Sequence, residues 1–225
     1  MADKPFIARG AFIQLMPAYG LFQPNVVVFQ YNPSKITRNL TPWNPFETSA
    51  SKNGVAAPDV SPYPAEEKIS FELFLNADDP AQASNPVNSL TGVVTRIAAL
   101  RKLTKPSAGV GSDLLQSAKQ FAGAKNDVAE RPTVPITFLS FGASFLLPVK
   151  LTSLAIEETL FNPVLFPTHA KATVALQVLT PNLFRCKEDK VSALAVKAYQ
   201  INEMKEDTFA IANLANGVFD VIGLF

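Results

Sequence analysis

The sequence predicts an α+β fold in which sheet dominates, on three observations. Residues 68–76 and 171–179 alternate apolar and polar side chains with the period of a half-buried strand. Further apolar runs are rich in β-branched and aromatic residues and are bounded by Pro or Gly, as strands are. Only two stretches repeat apolar residues at the helical spacing of three and four.

Taken in chain order, residues 6–15 are the first strand candidate and residues 25–31 the second. Residues 41–64 hold five prolines among Ser, Asn, Gly and Ala and read as a loop. The clearest strand follows: Ile69, Phe71, Leu73 and Leu75 point one way, while Lys68, Ser70, Glu72 and Asn76 point the other. Residues 86–103 predict an amphipathic helix that needs a sheet to lie on. Val87, Leu90, Val94, Ile97 and Leu100 form its stripe, Ser84 or Asn85 its N-cap, and Pro86 its first turn. Residues 104–132 mix Lys, Ser, Gly and Ala without steady periodicity, a second long loop.

Residues 135–141 predict another buried strand, and residues 145–160 one long strand or two. Pro148 cannot donate to a ladder and marks an edge, a start or a bulge. Residues 171–179 place Ala172, Val174, Leu176 and Val178 on one face. The second helix covers residues 189–204 with the stripe Val191, Leu194, Ala198 and Ile201, and its apolar character continues weakly to Phe225. The expected organisation is a β domain over residues 1–186, with loops 41–64 and 104–132, and a helical extension over residues 187–225.

Composition narrows the function. Of 225 residues, 48% are hydrophobic and only 17% charged, below the roughly 25% usual in soluble domains. A monomer needs an efficient core to hide that much apolar surface; an oligomer hides it at subunit interfaces. A net charge of +1 gives no basic face for displacing phosphate counterions, so no nucleic-acid binding is expected. Cys186 stands alone, which rules out an internal disulfide or a thiolate metal cage and permits folding in a reducing cytoplasm. The first twenty residues lack the plan of a signal peptide. The most membrane-like stretch, residues 208–225, is interrupted by Asn213, Asn216, Gly217, Asp220 and Gly223, so membrane contact is not the expected mode.

The machinery of ordinary enzymes is not visible. His169 is the single histidine, follows Pro167 at a strand entrance and has no Gly-x-Ser-x-Gly elbow to serve. Gly109-Val110-Gly111 lacks the lysine and third glycine of a phosphate loop. Glu157 and Glu158 are adjacent in a strand, which sends their carboxylates to opposite faces. Asp78 and Asp79 read as a solvated turn before Pro80. No catalytic residue, cofactor or metal is therefore expected, and Cys186 reads as an incidental side chain.

Phe29-Gln30-Tyr31-Asn32-Pro33, leaving the apolar strand Val26-Val27-Val28, resembles the N-terminal signature of the contractile injection system tube protein family, with Ser34 and Trp43 in the places of its Ser-rich turn and Trp. Phe138-Leu139-Ser140-Phe141-Gly142 is similar to that family's aromatic-Gly strand end. Thr159-Leu160-Phe161-Asn162-Pro163 followed by Pro167-Thr168-His169-Ala170-Lys171-Ala172 is similar to its aromatic turn and the lead-in to its last strand. His169 replaces the arginine usual there, so a charge contact at that point is not carried over. The likeness spans residues 5–182. Many relatives continue into a LysM module; residues 187–225 are too short for one, so peptidoglycan binding is not carried over either.

The resemblance implies a tube-protein-like antiparallel β-sandwich or barrel with a flanking helix. It also implies a hexameric ring whose hairpins, around residues 36–40 with 68–76 and 149–160 with 171–179, line a solvent-filled lumen on one side and pack on helix 86–103 on the other. Such a phage-tail-like ring subunit, assembled in the cytoplasm, would bind the inner tube protein and either the baseplate hub and spike or the cap proteins. Candidate subunit-contact residues are Phe29, Tyr31, Asn32, Pro33, Trp43, Phe161, Asn162, Pro163, Val191, Leu194 and Ile201. The alternative expectation is a membrane-associated binding module acting through the apolar C-terminal segment.

Overall fold

A computed structural model describes residues 8–18, 21–42, 64–79, 91–105, 121, 134–142, 145–184 and 189–222, with backbone alone at 16–18, 21–23 and 215–222. Seven strands, β1 (Ala11–Ala18), β2 (Leu21–Val28), β3 (Ile36–Thr41), β4 (Glu66–Asn76), β5 (Thr137–Phe141), β6 (Phe145–Phe161) and β7 (Pro167–Val178), form one sheet in the order β2-β1-β5-β6-β7-β4-β3. Every neighbouring pair is antiparallel. Helix α1 (Val94–Lys102) follows β4; a short 3-10 turn (Pro181–Phe184) and helix α2 (Lys190–Ile222) follow β7. The mainly β, α+β expectation holds.

The sheet is rolled, and it is not a closed barrel. Phe12 of β1 stacks 6.2 Å from Phe71 of β4, and Phe29 lies 5.0 Å from Phe12 and 5.7 Å from Phe71. Yet β5, β6 and β7 stand between β1 and β4 in the sheet. The two facing layers are thus the arms of a single sheet curled around one core, and no ladder among the described residues joins the outer strands β2 and β3. The curl follows from two-faced strands. In β4, Ile69, Phe71, Leu73 and Leu75 are buried while Glu72 and Phe74 are exposed; in β7, Ala170, Ala172, Val174, Leu176 and Val178 are buried. An apolar face of this breadth, about 25 cal/mol for each Å² removed from water, is hidden only by bending inward or by a covering element. The fold uses both, since Val93, Ile97, Leu100 and Leu103 of the α1 segment complete the same core.

The described part of the predicted helix 86–103 is interrupted at Gly92, whose left-handed φ of +57° separates the helical Thr91 from helix α1, Val94–Lys102. The Val93 N–H, instead of continuing a helix, donates to the Pro167 carbonyl at 3.0 Å and docks α1 on the start of β7. Residues 81–90, with the expected cap and the stripe residues Val87 and Leu90, lie outside the described residues, as do most of loops 41–64 and 104–132.

Strand β6 is a single strand of 17 residues with a bulge between Leu151 and Ser153. The Pro148 carbonyl accepts from Leu179 N–H at 2.9 Å. A strand residue turns its N–H and C=O to the same side, so the donor Pro148 lacks would point past the end of β7, where no ladder needs it.

Helix α2 runs well beyond the predicted residues 189–204, for 33 residues. Asp189 caps it, accepting from Ser192 N–H at 3.0 Å and from the Ser192 hydroxyl at 2.6 Å. Val191, Ala195 and Ala198 pack on Phe138 and Phe184 with Ile13 and Leu15 beside them, covering the outer face of β1 and β5. Asn202 anchors the next turn by donating to the Leu146 carbonyl at 2.6 Å. Among the described residues no helix is long and apolar enough to cross a membrane. The expected boundary between residues 186 and 187 falls outside them.

Candidate functional site

With α2 over β1 and β5 and α1 inside the roll, no helix among the described residues covers the outer face of the segment β6-β7-β4-β3. Register builds it in rows. Ser153, Ala175, Ser70 and Thr37 lie side by side across four strands, then Ala155, Thr173 and Glu72, then Glu157, Lys171 and Phe74. Small and polar side chains dominate these rows. Lys171 Nζ pairs with Glu72 Oε1 at 2.8 Å, and that hydrogen bond raises the lysine's pKa. Glu158 falls on the opposite side from Glu157, as adjacent strand residues must.

Among the described residues no strand pairs with either margin of this segment. Strand β5 pairs with β6 only through Val149, so residues 150–161 have β7 on one side and no paired strand on the other among the described residues. Strand β3 ends the sheet. Exposed strand margins of this kind are templates for pairing with another chain.

The β6–β7 hairpin ends in an apolar tip. Leu160, Phe161, Val164 and Leu165 are 65%, 55%, 71% and 78% exposed, an unusual density for a turn. Asn162 builds the turn: its side-chain oxygen accepts from Val164 N–H at 3.0 Å and Phe166 N–H at 2.8 Å, while the Thr168 hydroxyl donates to the Leu160 carbonyl at 2.9 Å. Leu160 and Leu165 both take positive φ, 52° and 63°.

Of the residues singled out in the sequence, Phe161 and Pro163 are exposed at this tip and Asn162 shapes it. Phe29, 2% exposed, belongs to the chain's own aromatic core instead of a contact surface. Asn32 is a strut between strands: it accepts from Gly10 N–H at 2.9 Å and donates to the Ala8 carbonyl at 2.8 Å. Tyr31 is exposed beside Asp79, and Pro33 is half-buried. Val191 turns inward while Leu194 and Ile201 are exposed, so the expected stripe of α2 is split between the domain and solvent. Trp43, Cys186 and Gly109–Gly111 lie outside the described residues. His169 has the Thr168 hydroxyl at 3.1 Å and an Asp78 oxygen at 3.9 Å from Nδ1. Among the described residues no group of three or more His, Cys, Asp or Glu gathers as a metal site would.

Where α2 crosses the end of β6, Arg38 lies 4.8 Å from the Phe145 ring centre and 3.6 Å from Glu67. Burial raises the Glu67 pKa against the pull of Arg38, and Glu206 on α2 adds to the rise. Burial, with Glu203, Glu206 and Glu67 around it, pushes the Tyr199 phenol up to about 12.

Gln30 matters more to the fold than the pattern shows. Its carboxamide donates to the Asn76 carbonyl at 2.6 Å and accepts from Asn76 N–H at 3.0 Å, holding the end of β2 to the end of β4 as a strand would. A polar residue between two aromatics carries no sign of this long-range bond. Gln30→Ala would strand both backbone groups and is expected to cost about 2–3 kcal/mol. Gln30→Glu should be nearly as damaging, because a carboxylate cannot donate to the carbonyl; urea melts of the three proteins check this.

No protein-family model and no curated protein matches the chain.

Proposed function

We propose that this chain is a structural ring subunit of a contractile injection system or phage-tail-like particle, acting without catalysis. It would serve as a tube adaptor or initiator at the baseplate, or as the terminal ring at the cap end. The observation that carries the reading is the four-stranded segment β6-β7-β4-β3: without a paired strand at either margin among the described residues, polar and small-residue on its outer face, and packed on α1 within. Joined margin to margin, copies of such a segment extend one sheet around a ring with the polar face toward a water-filled lumen, and closure removes the exposed edges. The resemblance to the tube protein family supplies the six-fold count and the inner tube, hub, spike or cap proteins as partners. Assembly would take place in the cytoplasm, into a particle released or cell-anchored.

The hairpin tip supports the same reading. A non-glycine residue held at left-handed φ costs about 1–2 kcal/mol, and at Leu160 and Leu165 exposure leaves little packing to offset it. Leucines there serve a contact better than they serve the isolated fold. Leu165→Asn is expected to leave the single chain as stable or up to about 1 kcal/mol more so. Combined with Phe161→Ser, it should abolish rings seen by electron microscopy of the chain alone or mixed with its tube protein. Rings formed as readily by the double variant as by wild type would remove the tip from the assembly surface; a chain monomeric under all these conditions would end the ring reading.

A second reading, a membrane-associated module acting through the apolar C-terminal segment, rests on Phe209, Ile211 and Leu214, all exposed on the second half of α2. Sedimentation with mixed zwitterionic and anionic vesicles, lost on Phe209→Ser, would favour it.

A further inference from the structure

The mouth of the roll beside α2 holds a carboxylate whose hydrogen bonding the fold leaves incomplete. Glu67 has the parity of Ile69 and Phe71, so its side chain turns into the roll and is only 15% exposed, while Glu66 and Lys68 turn to the other face. Its Oε1 atom is buried and accepts no hydrogen bond. Arg38 of β3 approaches that oxygen to 3.6 Å, a charge contact too long for a hydrogen bond, and its guanidinium also sits over the Phe145 ring.

The other charges come from the helix. Tyr199, Glu203 and Glu206 follow one another on α2 at spacings of four and three, which places them on one face. Tyr199 packs on the edge of the main core, and Glu67 acts on its phenol from the sheet side. Glu206 opposes the Glu67 charge while Arg38 supports it; burial, the largest influence, sides with Glu206 and holds the Glu67 carboxyl above the ordinary glutamate range. The Tyr199 phenol, pushed up to about 12, stays protonated near neutrality.

Docking of the helix and protonation of Glu67 are therefore linked. Lifting α2 off the mouth returns Glu67 to water, away from Glu206 and toward its ordinary pKa. A carboxyl whose pKa is higher in the docked state favours docking most fully below the ordinary glutamate range, and that gain is lost as pH rises through the raised value. The anchor before this point is the Asn202 side chain on the Leu146 carbonyl, at 2.6 Å; residues 207–214 beyond it are all exposed.

We propose that Glu67 is a proton-operated latch for α2: when neutral it lets the helix from Glu203 onward lie tight against the mouth of the roll, and when ionised it repels Glu206 and loosens that stretch. The inference rests on neither functional reading.

Carboxyl-carbon NMR of the full chain should show Glu67 titrating above the ordinary glutamate value of 4.5. Amide exchange, corrected for its intrinsic dependence on pH, should show protection at residues 203–210 rising at least about threefold from about pH 8 to about pH 4.5, with residues 191–198 unchanged. Glu67→Gln should keep the high protection at both pH values, and Glu206→Gln should reduce the rise. A Glu67 carboxyl titrating at or below its ordinary value, protection at 203–210 that ignores pH, or a rise that persists unaltered in Glu67→Gln would each overturn the proposal. An equal rise at residues 191–198 would overturn it too, since acid would then be stabilising the chain in general.

Discussion

Gly92→Ala is expected to cost about 3 kcal/mol or more and to release α1 from the sheet. Two effects add. The left-handed φ of +57° penalises any residue with a Cβ, and a Cβ on Gly92 would sit 2.2 Å from the Pro167 carbonyl oxygen. That oxygen accepts the Val93 N–H that docks the helix, so the clash falls on the joint itself. Gly142 is the internal control: its φ is +70°, but nothing lies within 4 Å of the added carbon, so Gly142→Ala should cost only about 1 kcal/mol. Chemical denaturation of both variants decides the matter. Equal losses would mean that backbone conformation alone, and not the contact with β7, governs Gly92.

Phe12→Ala should be the most damaging core substitution, at about 3–5 kcal/mol. Phe12 has no exposed surface and contacts Phe29 and Phe71. The exposed Phe74, truncated in the same way, should cost under about 1 kcal/mol. The roll of the sheet gives a sharper test. Phe12 and Phe71 sit on opposite arms, so a double-mutant cycle of Phe12→Leu and Phe71→Leu should show coupling of about 0.5–1.5 kcal/mol. Strict additivity would mean that the arms do not meet through these rings.

Aromatic residues mark the limit of pattern reading for the candidate surfaces. Phe29 and Phe161 both precede a turn and both look like anchors, yet Phe29 is sealed in the chain's own core and Phe161 is exposed at a hairpin tip. Hydrophobicity states that a side chain seeks burial; it does not state against which surface. The same holds along α2, where Val191 and Leu194 are three residues apart and equally apolar, and only the position of Phe138 and Phe184 makes one inward and the other outward. The tip did leave a sequence sign: apolar residues crowd an Asn-Pro turn from Leu160 to Phe166, where turns are ordinarily polar.

By itself the sequence determined the local periodicities: the alternation that makes β4 and β7 two-faced, the helical stripe of α1, the start of α2 at Asp189, and the lack of any thiol pair for a disulfide. The tertiary structure decided the strand order, the roll, the margins without a paired strand among the described residues, the left-handed turn at Gly92 and the Gln30 bond to Asn76. The division has one physical reason. A side-chain period is set by neighbours along the chain and is the same in any sheet order. Which strands meet, and which backbone groups are left to bond elsewhere, depends on partners distant in sequence that come together only when the core is buried.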